Sequence, residues 1–99
     1  MELYVIKNGL DKAHLLIDEY RKSAQIDEKL REIEGLSYQT MQDGFWDDPT
    51  KAKKIYDELN DMKKITDEYE NLCQSLNSLD ETYTLVKETD DQEFQTILE

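Results

Sequence analysis

Two adjacent carboxylates, Asp47 and Asp48, follow an aromatic pair, Phe45 and Trp46, in the stretch Gly44-Phe45-Trp46-Asp47-Asp48-Pro49. Paired acids can hold magnesium or calcium, but a calcium loop needs further oxygen ligands at short, alternating spacing, and the neighbouring residues do not supply them. Asp48 immediately precedes the chain's only proline. An acid at the cap position with proline at the first helical position is a helix start, and the positive end of the helix dipole favours the acid there, so capping explains Asp48 with less machinery than a metal.

The remaining reactive side chains are scattered. His14 is the only histidine and lies beside an apolar stripe, which suits a helix surface or the edge of a core better than catalysis. Ser23 and Ser37 have no second histidine to serve as an activating base. Cys73 has no second cysteine or nearby histidine at zinc-ligand spacing, and a half-buried structural thiol is the simpler reading. The many carboxylates read as solvated helix faces rather than an acid-base pair. The sequence therefore predicts no catalytic residue, no cofactor and no metal.

Phe45 and Trp46 leave two readings open: an exposed knob that binds a partner, or a pair folded beneath a corner to seal the end of a helical bundle. The large area an aromatic ring buries favours the second. The six tyrosines are dispersed along helical segments without a basic groove, which suits core packing better than base stacking.

Three helical segments must position these residues. Leu3, Ile6, Leu10, Ala13, Ile17, Tyr20 and Ala24 recur in steps of three and four, the period of one helix face. Gly9 weakens this helix unless a close neighbour needs the space. A turn is expected near Lys22–Asp27, with Ser23 or Asp27 capping, followed by a shorter helix carrying Ile26, Leu30 and Ile33 and folded back on the first. After Pro49 a near-heptad seam runs through Ala52, Ile55, Leu59, Met62, Ile65, Tyr69, Leu72, Leu76, Leu79, Tyr83 and Val86, predicting one long helix to about Lys87. Asp90 and Glu93 then resemble a capping box, with Phe94, Ile97 and Leu98 opening a fourth helix. The predicted fold is all-α: an elongated antiparallel bundle of about three helices built round the long one, with the start of a fourth, reading as a fragment of a longer protein.

Composition agrees with this plan. The 99 residues suit one domain, and 36% are charged against 37% hydrophobic, so a large core is not expected. Twenty-four acidic against 12 basic residues give a net charge of −12, which repels phosphate backbones; Lys51, Lys53, Lys54, Lys63 and Lys64 are interspersed with Asp57, Glu58 and Asp61. Direct nucleic-acid binding is therefore not expected. A single cysteine fits a reducing cytosol, and neither a leader nor a membrane-length apolar run is present in the sequence.

The stretch DGFWDDPTKAKKIYDELNDMKK resembles the helix corner in the N-terminal domain of the bacterial peptide chain release factor 2 family, and MELYVIKNGLDKAHLLIDEYR is similar to that family's opening helix. The likeness extends over essentially all 99 residues, and Gly44 to Pro49 are its most specific part. The related release factor 1 domains generally lack the Phe-Trp pair. One departure lies at Arg21 to Asp27, which reads RKSAQID where the family often has Arg-Gly-Ser-Leu-Asp.

The resemblance implies a part in translation termination at UAA and UGA, on the cytoplasmic ribosome. Residues 1–99 would be the N-terminal helical domain, contacting the large-subunit stalk base and the remaining domains of the same factor. The Ser-Pro-Phe and Gly-Gly-Gln loops with which that family reads codons and promotes peptidyl-tRNA hydrolysis do not occur here, so this chain is not expected to be an enzyme by itself. Two competing expectations are a stand-alone acidic helical adaptor that self-associates, and an acidic decoy that occupies a basic cleft.

Overall fold

The computed structural model describes residues 2–98, with side chains described for residues 2–91. Its elements are α1 (Leu3–Ser23), α2 (Ile26–Thr40), a single 3-10 turn (Phe45–Asp47) and α3 (Pro49–Leu98). No strand occurs among the described residues, and the fold is all-α. No helix of the described residues is long and apolar enough to cross a membrane.

α1 carries its half-buried side chains at Leu3, Ile6, Leu10, Ala13 and Ile17, the predicted stripe. Arg21 and Lys22 occupy its last turn, where cations complement the helix dipole. The joint to α2 is two residues long. Gln25 adopts the left-handed conformation at φ 53°, and its N–H donates to the Lys22 carbonyl at 3.1 Å. Neither predicted cap acts there: Ser23 Oγ donates to the Tyr20 carbonyl at 3.3 Å, and Asp27 Oδ1 accepts from Arg21 Nε and Nη2 at 3.1 and 2.9 Å. Lys29 Nζ instead donates to the Ala24 carbonyl, satisfying an acceptor that the end of α1 leaves open. Leu30 is exposed, and the stem of Lys29 lies half-buried on the inner face in its place.

α3 has 50 residues and no glycine or proline after Pro49. Its helix continues through Asp90, so the separate fourth helix expected from the Asp90–Glu93 pattern does not form. A cap residue must leave helical geometry, and no glycine or proline in this stretch forces it to do so. The expected burial of Phe94, Ile97 and Leu98 lies outside the described side chains. Thr82, Thr84 and Thr89 hydroxyls donate to the carbonyls of Ser78, Asp80 and Leu85, each at 3.0 Å, which meets their hydrogen-bonding needs without leaving the helix.

The inward line of α3 shares Tyr69, Leu76 and Tyr83 with the expected one and departs from it by one residue at three places, Thr66, Cys73 and Asp80. It runs through Ala52, Ile55, Leu59, Met62, Thr66, Tyr69, Cys73, Leu76, Asp80 and Tyr83, steps of three and four in strict alternation, with Ile65 beside it. Choosing the apolar neighbour, Ile65, Leu72 or Leu79, shifts the pattern by one residue at each. Leu72, Leu79 and Val86 are predicted inside, whereas all three are exposed and Cys73 and Asp80 lie inward. Helical register, once set by the buried Ala52 and Leu59, carries polar residues into the seam.

The chain divides into two compact units, Met1–Asp18 with Leu72–Glu99, and Glu19–Asn71. The second holds all of α2, which packs in a unit with the end of α1 and the first part of α3. Its core contains Ile26 at 1% exposure, Ala52, Leu59 at 3% and Thr66, whose Oγ1 donates to the Lys63 carbonyl at 3.1 Å. Leu76 is the buried residue of the first unit among the described side chains.

Candidate functional site

The corner between α2 and α3 is built by its backbone. Gly44 has φ 81°, a left-handed conformation that glycine adopts without strain, and a Cβ there would lie 3.2 Å from Asp47 Oδ2. Phe45 N–H donates to the Gln42 carbonyl at 3.2 Å and Asp47 N–H to the Gly44 carbonyl at 3.1 Å, closing the 3-10 turn. Asp48 is extended at φ −108°, ψ 93°, as a residue before proline prefers to be. This geometry turns its side chain onto the helix: Oδ1 accepts from the Lys51 N–H at 3.2 Å, while its carbonyl accepts from the Ala52 N–H at 2.9 Å. Pro49 fills the first helical position, where no N–H is needed.

The aromatic pair does not close beneath the corner. Phe45 is half-buried, but Trp46 is 58% exposed. Their rings meet edge to face at 4.8 Å and 88°, and the Trp46 ring lies 6.0 Å from that of Tyr56 on α3. Burial was expected from ring area alone. The short 3-10 turn instead presents successive side chains in different directions, so Phe45 faces inward and Trp46 outward. Beside it an open cleft of about 370 Å³ is lined by residues including Gln39, Gln42, Asp43, Phe45 and Lys51.

The other candidates remain apart from the corner. His14 Nε2 lies 2.7 Å from Asp80 Oδ2, an exposed pairing of residues 66 positions apart that no local pattern could reveal. Cys73 is a free, half-buried thiol. No group of three or more histidine, cysteine or acidic side chains able to hold a metal occurs among the described residues. The Arg21 guanidinium is pushed above its ordinary value by its hydrogen bond and attraction to Asp27, with a smaller contribution from Tyr69. The arrangement offers an outward aromatic projection beside a capped helix start.

Residues 26–99 match the model of the PCRF domain. A curated peptide chain release factor 2 from an Exiguobacterium species is 34% identical over 95 residues, covering 96% of this chain and 26% of the relative. One from Staphylococcus aureus is 32% identical over 99 residues, covering 100% of this chain and 27% of the relative, and one from Lactiplantibacillus plantarum is 29% identical over 99 residues, covering 26% of the relative. The chain thus spans about a quarter of the length of the curated relatives it matches. No solved structure gives a significant match. With three quarters of its residues under one family model, this chain belongs to the PCRF domain family.

Proposed function

We propose that this chain is the N-terminal helical domain, residues 1–99, of a class I peptide chain release factor that acts in translation termination at UAA and UGA codons. The observation that carries the reading is the full-chain likeness to proteins named peptide chain release factor 2. The domain's part is to position the factor on the ribosome near the large-subunit stalk base, in contact with the factor's other domains. Codon reading and peptide release belong to segments with Ser-Pro-Phe and Gly-Gly-Gln loops, which are not in this sequence.

Charge supports a protein rather than an RNA contact. A chain of net charge −12 is repelled by bare phosphate and attracted to a basic protein surface, where complementary potential speeds encounter. The exposed Trp46, held by Phe45 and Tyr56, is the kind of rigid aromatic anchor that dominates binding energy at interfaces. The test is to delete residues 1–99 from the intact factor and measure ribosome affinity and termination rate. Weaker ribosome binding with the peptide-release step itself retained is the expected result; no change in either quantity overturns the proposal.

A further inference from the structure

Asn8 is the one asparagine followed by glycine; Asn60, Asn71 and Asn77 precede aspartate, leucine and serine. The side-chain amide carbon of an asparagine can be attacked by the backbone nitrogen of the next residue, closing a five-membered succinimide. Attack is least hindered when that next residue has no Cβ, so the Asn8–Gly9 pair joins an electrophile to the most accessible nucleophile a backbone offers. In an unfolded chain such a bond is chemically short-lived. Helix α1 preserves it. With ψ of a helical residue near about −42°, the Gly9 N–H is directed to the Val5 carbonyl, and the nitrogen is held out of line with the Asn8 side chain. Reaction therefore requires that this turn open first.

Several features make this end of α1 easy to open. No α1 side chain is fully buried, and between residues 3 and 10 only Leu3, Ile6 and Leu10 are half-buried, so fraying the first two turns exposes little apolar surface. The first turn carries no acid, which is the residue type that stabilises a helix start. The Ile6 N–H reaches the Glu2 carbonyl at a long 3.4 Å. Glycine is itself a poor helix former, and nothing outside its own helix lies within 4 Å of the position a Gly9 Cβ would take, so no side chain packs on that side of it. The ion pair of Lys7 with Asp11, 3.1 Å, spans the Asn8–Gly9 bond, but both groups are exposed and such a pair adds little.

We propose that Asn8 is a site of spontaneous covalent modification, deamidation and isomerisation, gated by fraying of the first turns of α1. The Gly9 nitrogen bonds to Asn8 Cγ, the bond from Cγ to the amide nitrogen breaks, and that nitrogen leaves as ammonia with the proton from Gly9. Water then opens the ring. Addition at the side-chain carbonyl gives aspartate; addition at the backbone carbonyl gives isoaspartate, in which the chain runs through Cβ. Either product adds a negative charge to a chain already at −12. Isoaspartate also inserts an extra atom into the backbone, which the regular hydrogen-bond ladder of a helix does not accommodate, so α1 would begin beyond residue 8.

The test incubates the folded chain for several weeks at neutral pH and physiological temperature. Mass spectrometry follows the tryptic peptide of residues 8–12, in which Asn8 carries the only side-chain amide, and chromatography separates aspartate from isoaspartate. A peptide of residues 3–14, too short to hold a helix by itself, supplies the unprotected rate. Hydrogen exchange at the Gly9 N–H of the folded chain supplies the fraction of molecules open at that turn. The expected rate at Asn8 is the peptide rate multiplied by that fraction, to within about threefold, and it exceeds the rates at Asn60, Asn71 and Asn77. Gly9→Ala, which puts a Cβ beside the nucleophile and strengthens the helix, should slow conversion about tenfold or more. Asn8 remaining as intact as Asn77 overturns the proposal, as does a rate that departs from the measured opening or an unchanged rate in Gly9→Ala.

Discussion

Asp48 performs two tasks through one backbone conformation. Its extended geometry, imposed by Pro49, places its carboxylate on the Lys51 N–H and its carbonyl on the Ala52 N–H. Replacing it with alanine removes a charged acceptor from the first turn of α3 and should cost about 1 kcal/mol in equilibrium denaturation. Asp48→Asn, which keeps the acceptor and loses the charge, should recover most of that; equal losses in the two variants would show that charge alone matters. Lys53 illustrates a weaker kind of contact. Hydrogen bonding and attraction to Asp57 raise its ammonium above 10.5, so any stabilisation is complete below that value and disappears as pH rises through the raised one. Both groups are exposed, and the pair contributes little.

At the scale of the element, α3 shows what an apolar pattern can and cannot say. Its start at Pro49 was legible because cap, proline and turn residues are local. The stripe of α1 was legible because Leu3, Ile6, Leu10, Ala13 and Ile17 keep steps of three and four, whereas the exposed Tyr4, Val5, Leu15 and Leu16 do not continue them. Between Ile65 and Thr66 the pattern offered two neighbouring registers, and only packing against other helices distinguishes them. The buried Leu59 and exposed Leu79 test the resulting seam: Leu59→Ala should cost about 2 to 4 kcal/mol, and Leu79→Ala in the 99-residue chain no more than about 0.5 kcal/mol, by chemical denaturation. Comparable losses would restore the register that places Leu79 inside.

The joint between α1 and α2 was legible in place and not in mechanism. Serine and aspartate are good caps in general, yet the turn is made by Gln25 in the left-handed region and by Lys29 reaching the Ala24 carbonyl. Gln25→Gly should therefore stabilise the fold by about 0.5 to 1 kcal/mol, against the usual destabilising effect of glycine beside a helix. A loss of stability on that change would mean that the Gln25 side chain contributes more than its backbone conformation costs. The long-range pairing of His14 with Asp80 lay beyond sequence reasoning altogether, because nothing near either residue encodes the other.

For the whole molecule the governing quantity is charge. With 24 acids against 12 bases, self-repulsion acts on the folded chain at neutral pH and is reduced by screening. Raising sodium chloride from about 0.05 to 0.5 M should raise the melting temperature by several degrees, followed by circular dichroism. A falling temperature would show that the exposed ion pairs outweigh the net repulsion. The same charge disfavours bare nucleic acid as a partner before any fold is known. Family membership rests on the order of residues over 26–99, which composition cannot encode.

Trp46 is the chain's only tryptophan, and it stands outward on the corner with Phe45 against its edge. The molecule thus carries its own optical reporter at one defined point, with no label required. In free solution its emission should be that of a hydrated indole and should be quenched readily by iodide. A ribosomal protein seated on the corner would move that emission to shorter wavelength and shield it, whereas one bound elsewhere on the domain would leave the spectrum as it was.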